Sequence, residues 1–239
     1  MEALVGGVAC EGRRGGGKRK NVKYLSNGPK RKSSYGLRAG SKGFLVTCDK
    51  GQERSTMKEA INLLDEFYER LVEGANATIN RLDTGCAGIV FVEMLRDDNV
   101  RPLELVKSII RTVVTSKQSR TRFCLRLLPV EVTCYASQSE VKRAAEPVIS
   151  HYFSQENGDD GLKFAVVYEA RANTSLDRME IINAVAQLVP KHHSVDLKNP
   201  DITIIVQIVK TTCAIGIAHE FKEMAKYNLK QIVLQKAES

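Results

Sequence analysis

The sequence predicts an α+β chain of two packed units, and three observations carry that prediction. Short apolar runs alternate with longer stretches of helical period. Their succession reads β-α-β-α in the first half and β-α-β-α-β-β in the second. Neither half places a glycine fingerprint at a strand-to-helix turn, which sets a dinucleotide-binding fold aside. At 239 residues the chain is one large domain or two small ones and can bury a substantial core.

The elements follow in order. Gly43 to Asp49 reads as a short buried strand closed by Asp49-Lys50-Gly51. From Glu53 to Val72, the residues Met57, Ala60, Ile61, Leu64, Phe67, Tyr68 and Leu71 recur at three and four, the stripe of an amphipathic helix. Glu73-Gly74-Ala75-Asn76 ends it. Gly88 to Met94 is apolar almost throughout, hence a central strand. After a turn at Asp97-Asp98-Asn99, Pro102 opens a helix whose inner face is Leu103, Val106, Ile109, Ile110 and Val113.

The second half begins with strict alternation from Arg120 to Leu128, predicting a strand with Arg120, Arg122 and Arg126 on one face. Ser137 to Phe153 is a helix that Pro147 should kink or split. Asn157 to Gly161 is a loop. Leu162 to Tyr168 is a strand, Asp177 to Leu188 a helix, and Ile202 to Val209 and Thr212 to Ala218 are two further strands. Lys226-Tyr227-Asn228-Leu229 closes the fold.

Charge is unevenly spread. Residues 1–42 hold eleven basic side chains against Glu2 and Glu11, whereas the other 197 residues are one charge short of neutral. The net +8 is thus a property of a glycine-rich basic arm, read as disordered. Absent Trp and 6% aromatic residues argue against a carbohydrate or aromatic-cage binder. No apolar run approaches the roughly 20 residues that span a bilayer.

Six widely spaced cysteines form no CxxC pair or zinc pattern, and Cys48, Cys124 and Cys213 lie in apolar runs, so buried thiols in a reducing compartment are expected. The opening MEALVGGVAC is too short and too acidic for a secretory signal, which leaves the acceptor sites at Asn76 and Asn173 idle. The clustered lysines suit a nuclear arm better than a mitochondrial presequence. Gly12 to Lys18 matches GxxxxGK, but Arg19 replaces the hydroxyl that would hold magnesium, and no strand or helix flanks it.

The stretch Val195-Asp196-Leu197-Lys198-Asn199-Pro200-Asp201-Ile202-Thr203-Ile204-Ile205-Val206-Gln207-Ile208 closely resembles the signature of THUMP domains. Phe164 to Tyr168, followed by Arg171-Ala172-Asn173-Thr174-Ser175, resembles that domain's strand and RNA-facing loop. Arg122 to Pro129, Lys226 to Leu229 and the Gly-Gly-Gly-Lys-Arg-Lys tail at 15–20 are similar to one branch, the THUMP domain-containing protein 1 family, counterparts of a yeast tRNA acetylation adaptor. The resemblance implies a disordered basic arm (1–42), an N-terminal ferredoxin-like domain (43–100) and a THUMP domain (101–235). It also implies a stand-alone tRNA-binding adaptor that presents Ser- or Leu-type tRNA to an RNA cytidine acetyltransferase for N4-acetylcytidine formation. Its partners would be tRNA and that acetyltransferase, with no membrane, cofactor or small-molecule substrate. Two departures stand out: the Gly-Gly-Leu-Pro ending of enzyme-linked relatives is missing, and Glu169 occupies a position basic in a relative.

The residues themselves favour RNA over catalysis. Lys18, Arg19, Lys20, Lys30, Arg31 and Lys32 can neutralise phosphates, with counterion release setting affinity. Arg120, Arg122 and Arg126 at even spacing would make a row of phosphate contacts. Lys163, Arg171 and Arg178 are expected to flank the RNA-facing loop that carries Asn173. An A-form stem is read by shape, phosphates and 2′-hydroxyls, which needs no aromatic platform. Against this stands an unremarkable catalytic inventory. His192 and His193, if on a strand, point to opposite faces and cannot share an ion, and no nucleophile has a local base. The competing readings are a small RNA-modifying enzyme with an unrecognised site and an rRNA-binding ribosome-biogenesis factor.

Overall fold

In the computed structural model the described residues are 36–72, 77–95, 100–154 and 161–237. The arm's Lys18, Arg19, Lys20, Lys30, Arg31 and Lys32 lie outside them, as do the Gly12–Lys18 motif, the expected helix end at 73–76, the expected turn at 97–99 and residues 157–160 of the expected loop.

The first sheet is assembled from β1 (Gly43–Thr47), α1 (Glu53–Leu71), β2 (Ile79–Leu82), β3 (Ile89–Met94), α2 (Pro102–Ser116) and β4 (Leu127–Val130). Its strands pair antiparallel in the order β2-β3-β1-β4. β3 is an inner strand with all six residues buried, as its apolar run requires. Val106, Ile109, Ile110 and Val113 of α2 share one core with Leu64 and Phe67 of α1 and Leu45 and Phe91 of the sheet.

The expected division at 100–101 is therefore displaced. β4 finds its partners on β1, with Leu45 opposite Leu128, so residues 101–130 are built into the first sheet. The expected strand at 120–128 also shrinks to its last two residues and runs on to Val130. The reason lies on α1. The Glu59 carboxylate accepts the backbone N–H groups of Arg122 (2.5 Å), Phe123 (2.8 Å) and Cys124 (2.7 Å). Donors spent on a helix carboxylate are unavailable to a strand ladder.

The second sheet takes β5 (Val132–Tyr135), β6 (Lys163–Arg171), β7 (Ser194–Val195), β8 (Ile202–Val209) and β9 (Thr212–His219), in the order β5-β9-β8-β6-β7. β6 runs parallel to β7 and β8, and β9 is antiparallel to β8 and β5. Helices α3 (Gln138–Tyr152) and α4 (Arg178–Ala186) cover one face, where Val141, Ile149, Ile181 and Val185 meet Ile204, Val206 and Ile215. α3 runs as one helix across Pro147, capped by Ser137, whose Oγ accepts the Glu140 N–H. Its continuous stripe of Val141, Ala145, Val148 and Ile149 holds both halves to the sheet.

The other face packs on the first unit. Ile205, Val209, Ala214 and Ala218 join the first core. Gly216 of β9 lies so close to β4 that a β-carbon there would collide with the Pro129 carbonyl oxygen. A 3-10 turn (Ala225–Tyr227) and helix α5 (Leu229–Ala237) then return to the first core through Tyr227, Leu229 and Ile232. The segment 36–42 straps both sheets. Leu37 N–H donates to Asp83 beside β2 (3.0 Å), and Gly40 N–H donates to Thr133 of β5 (2.7 Å). Ser41 Oγ donates to the buried Glu93 carboxylate of β3 (2.6 Å).

Candidate nucleic-acid interface

The C-terminal ends of β6 and β8 meet the first unit at a seam, and most of the predicted basic residues with a common location are here. Side chains on one strand face recur every second residue, so Val167, Glu169 and Arg171 all face the first sheet. Glu169 is opposite Gln207 and Arg171 opposite Val209. Across the seam Arg126 reaches Glu169 (3.5 Å), while its own N–H donates to Thr47 Oγ1 (3.0 Å). Arg171 lies near Cys48, at the end of β1, and its Nε is buried without a hydrogen-bond acceptor.

The loop after Arg171 is fixed by its own polar groups. Asn173 Nδ2 donates to the Lys210 carbonyl (2.7 Å), and its Oδ1 accepts from the Ser175 N–H (3.1 Å) and hydroxyl (3.2 Å). Lys210 N–H donates back to the Arg171 carbonyl (2.9 Å). Ala172 and Lys210 both take left-handed backbone angles, with φ of 52° and 54°, so the 171–175 loop and the β8–β9 turn form one locked unit. Lys210 projects over Gly85 of the first unit. Asp177 caps α4 by accepting the Met179 (2.8 Å) and Glu180 (2.9 Å) N–H groups, which sets exposed Arg178 at the helix start beside this loop. Arg126, Arg171, Arg178 and Lys210 thus converge on one end of the second sheet. Lys210 was missed because a lone lysine between two strands gives no sequence signal beyond a turn.

Three predicted residues are elsewhere. Lys163 starts β6 and pairs with Asp196 (3.5 Å), and eight strand steps put it about 26 Å from Arg171, so it does not flank the loop. Backbone N–H groups of Asn199 and Lys198, with Lys163, hold the Asp196 carboxyl below its ordinary value. Arg120 and Arg122 share no strand face with Arg126. Arg120 binds Glu66 (2.8 Å) and lies over the Phe67 ring, and Arg70 binds the same two groups. Arg122 lies over Phe123. A second basic cluster therefore forms at the C-terminal end of α1, with Arg70 the member the sequence did not single out.

The histidines are placed by packing. His192 and His193 occupy a turn rather than a strand, with rings 3.9 Å apart, and His193 Nδ1 accepts the Leu162 N–H (2.9 Å). Among the described residues no group of three or more His, Cys, Asp or Glu is placed to hold a metal ion. His219 borders a cavity of about 450 Å³ with Lys107, Arg111 and Tyr227. Burial first, and Lys107 next, lower its pKa to about 4.

An α+β chain with a basic, locked loop at the ends of parallel β6 and β8 is the architecture here. Residues 135–218, from the end of β5 almost to the end of β9, match the THUMP domain: the chain carries one. Over nearly all its length it is similar to THUMP domain-containing protein 1. It is 29% identical to the Bos taurus protein and 27% to the Homo sapiens protein, each across 92% of this chain and 72% and 73% of theirs. It is also 27% identical to the Saccharomyces cerevisiae tRNA acetyltransferase TAN1, across 84% of this chain and 87% of that one.

Proposed function

We propose that this chain is a tRNA-binding adaptor that presents Ser- or Leu-type tRNA to an RNA cytidine acetyltransferase and does not itself transfer the acetyl group. The observation that carries the reading is the similarity to tRNA acetyltransferase TAN1, which spans both sheets rather than the THUMP match alone. The converging Arg126, Arg171, Arg178 and Lys210 support it, because basic side chains gathered at one end of a sheet suit the phosphates of an A-form stem. Within this reading the first unit is a ferredoxin-like domain, supported by its β-α-β-β-α-β succession and strand order. The basic arm adds sequence-independent affinity, and the protein works in the nucleus.

A second reading is favoured by the relative's name itself: the chain could be the transferase. One reconstitution separates them. Purified chain, purified acetyltransferase and both together are incubated with tRNA and acetyl-coenzyme A, and N4-acetylcytidine is counted. The adaptor reading expects product only with both, or at least a tenfold gain over the acetyltransferase alone. Product from this chain alone overturns it.

A further inference from the structure

Cys134 on β5 and Cys213 on β9 are directly opposite each other in the antiparallel register. Both are buried, both carry free thiols, and both face the core beneath α3 and α4. The pair type follows from the ladder. Ala136 N–H donates to the carbonyl of Thr211, directly across from it (2.8 Å), and hydrogen-bonded pairs recur every second residue, so Cys134 and Cys213 form such a pair. Its Cα spacing of about 5.5 Å lies inside the range that disulfides occupy. Cys134 also lines a solvent-connected cleft of about 510 Å³ with Glu140, Arg143, Ala144, Pro147 and Val148.

We propose that Cys134 and Cys213 are a redox-active dithiol, closed to a cross-strand disulfide by a peroxide that enters through this cleft.

The balance is complete with hydrogen peroxide as oxidant. The Cys134 thiolate attacks one peroxide oxygen, the O–O bond breaks, hydroxide leaves, and Cys134 becomes a sulfenic acid. The Cys213 sulfur then attacks the Cys134 sulfur, the S–O bond breaks and water leaves with the Cys213 proton. Two thiols and one peroxide give one disulfide and two waters. The order of events follows from the surroundings. The Cys213 thiol beside Cys134 is the leading influence lowering the Cys134 pKa, with Arg143 adding to it, whereas Cys134 and burial raise that of Cys213. Cys134 lines the cleft whereas Cys213 is fully buried behind it, so Cys134 is the attacking member and Cys213 the resolving one. Burial raises Cys124 and Cys48 as well, which leaves half-exposed Cys86 as the competing thiol among the described residues. Closure would bond β5 to β9 beside Thr133, whose backbone and hydroxyl anchor the 36–42 strap.

The test treats the full native chain with stoichiometric hydrogen peroxide, alkylates the remaining thiols and maps peptides by mass spectrometry. The expected result is a fall from six free thiols to four, a cross-linked peptide joining Cys134 to Cys213, and recovery of six on reduction. In Cys213→Ser a dimedone adduct should accumulate on Cys134 at ten times the level on Cys48 or Cys124. The wild-type thiol count stands whether or not that variant folds, and Cys86→Ser removes the competing thiol. Six thiols remaining, a bridge between any other pair, or a 134–213 bridge formed only in urea overturns the proposal.

Discussion

Glu59 shows how much one carboxylate settles. It accepts three consecutive N–H groups and so converts residues 122–124 from strand to loop. Glu59→Ala leaves those donors without their acceptor and is expected to cost about 2–4 kcal/mol, read as a lower urea midpoint. Burial opposes the ionised form of Glu59, yet those backbone donors hold its pKa below the ordinary 4.5. At Glu93 burial again opposes, and Ser41, Asn80 and Arg38 prevail in the same direction. Both carboxyls are depressed in the fold, so their contribution is present above about pH 4.5 and lost as pH falls through the folded values. His219 acts in a higher window. Its folded pKa of about 4 lies below the ordinary 6.5, so the unfolded chain binds the proton first and stability declines from pH 6.5 towards 4. Allowing for the water that reaches it, the decline is about 1–2 kcal/mol. His219→Asn should flatten that slope in thermal melts across the window, and an unchanged slope would contradict the assignment.

At the scale of elements, periodicity located what is long and apolar. Helices α1, α2, α3 and α4 and strands β1, β3, β6, β8 and β9 follow the expected runs, because burial on one face or both leaves its period in the sequence. Shorter edge elements are another matter. β2 reads Ile-Asn-Arg-Leu, β7 is two exposed residues, and β5 continues β4 after a single residue, so none carries a period long enough to see. The Arg120–Leu128 alternation misled for a different reason: its donors answer to Glu59, a partner more than sixty residues away. Gly216 is equally silent in sequence, although the approach of β9 to β4 depends on it. Gly216→Val should separate the two sheets locally and cost about 3 kcal/mol or more, seen as early hydrogen exchange along β4 and β9. Exchange rates matching the native protein would show that the seam tolerates a side chain.

For the whole molecule, the candidate interface exists only because two sheets meet. Motif resemblance located Arg171, Asn173 and Arg178, but Arg126 arrives from the first unit and Lys210 from the next turn, and no sequence spacing relates them. The same assembly removes Lys163, which lies along the same strand at the far end. The most direct measurement is salt-titrated binding of folded tRNA, unfolded tRNA and a plain RNA duplex by the full chain and three variants. Arg178→Glu and Lys210→Glu should each weaken folded-tRNA binding about tenfold, close to 1.4 kcal/mol, and lower the salt slope by about one. Lys163→Gln should change affinity less than twofold. Equal losses from all three, or a preference for folded tRNA untouched by Arg178→Glu and Lys210→Glu, would contradict a tRNA site at the seam.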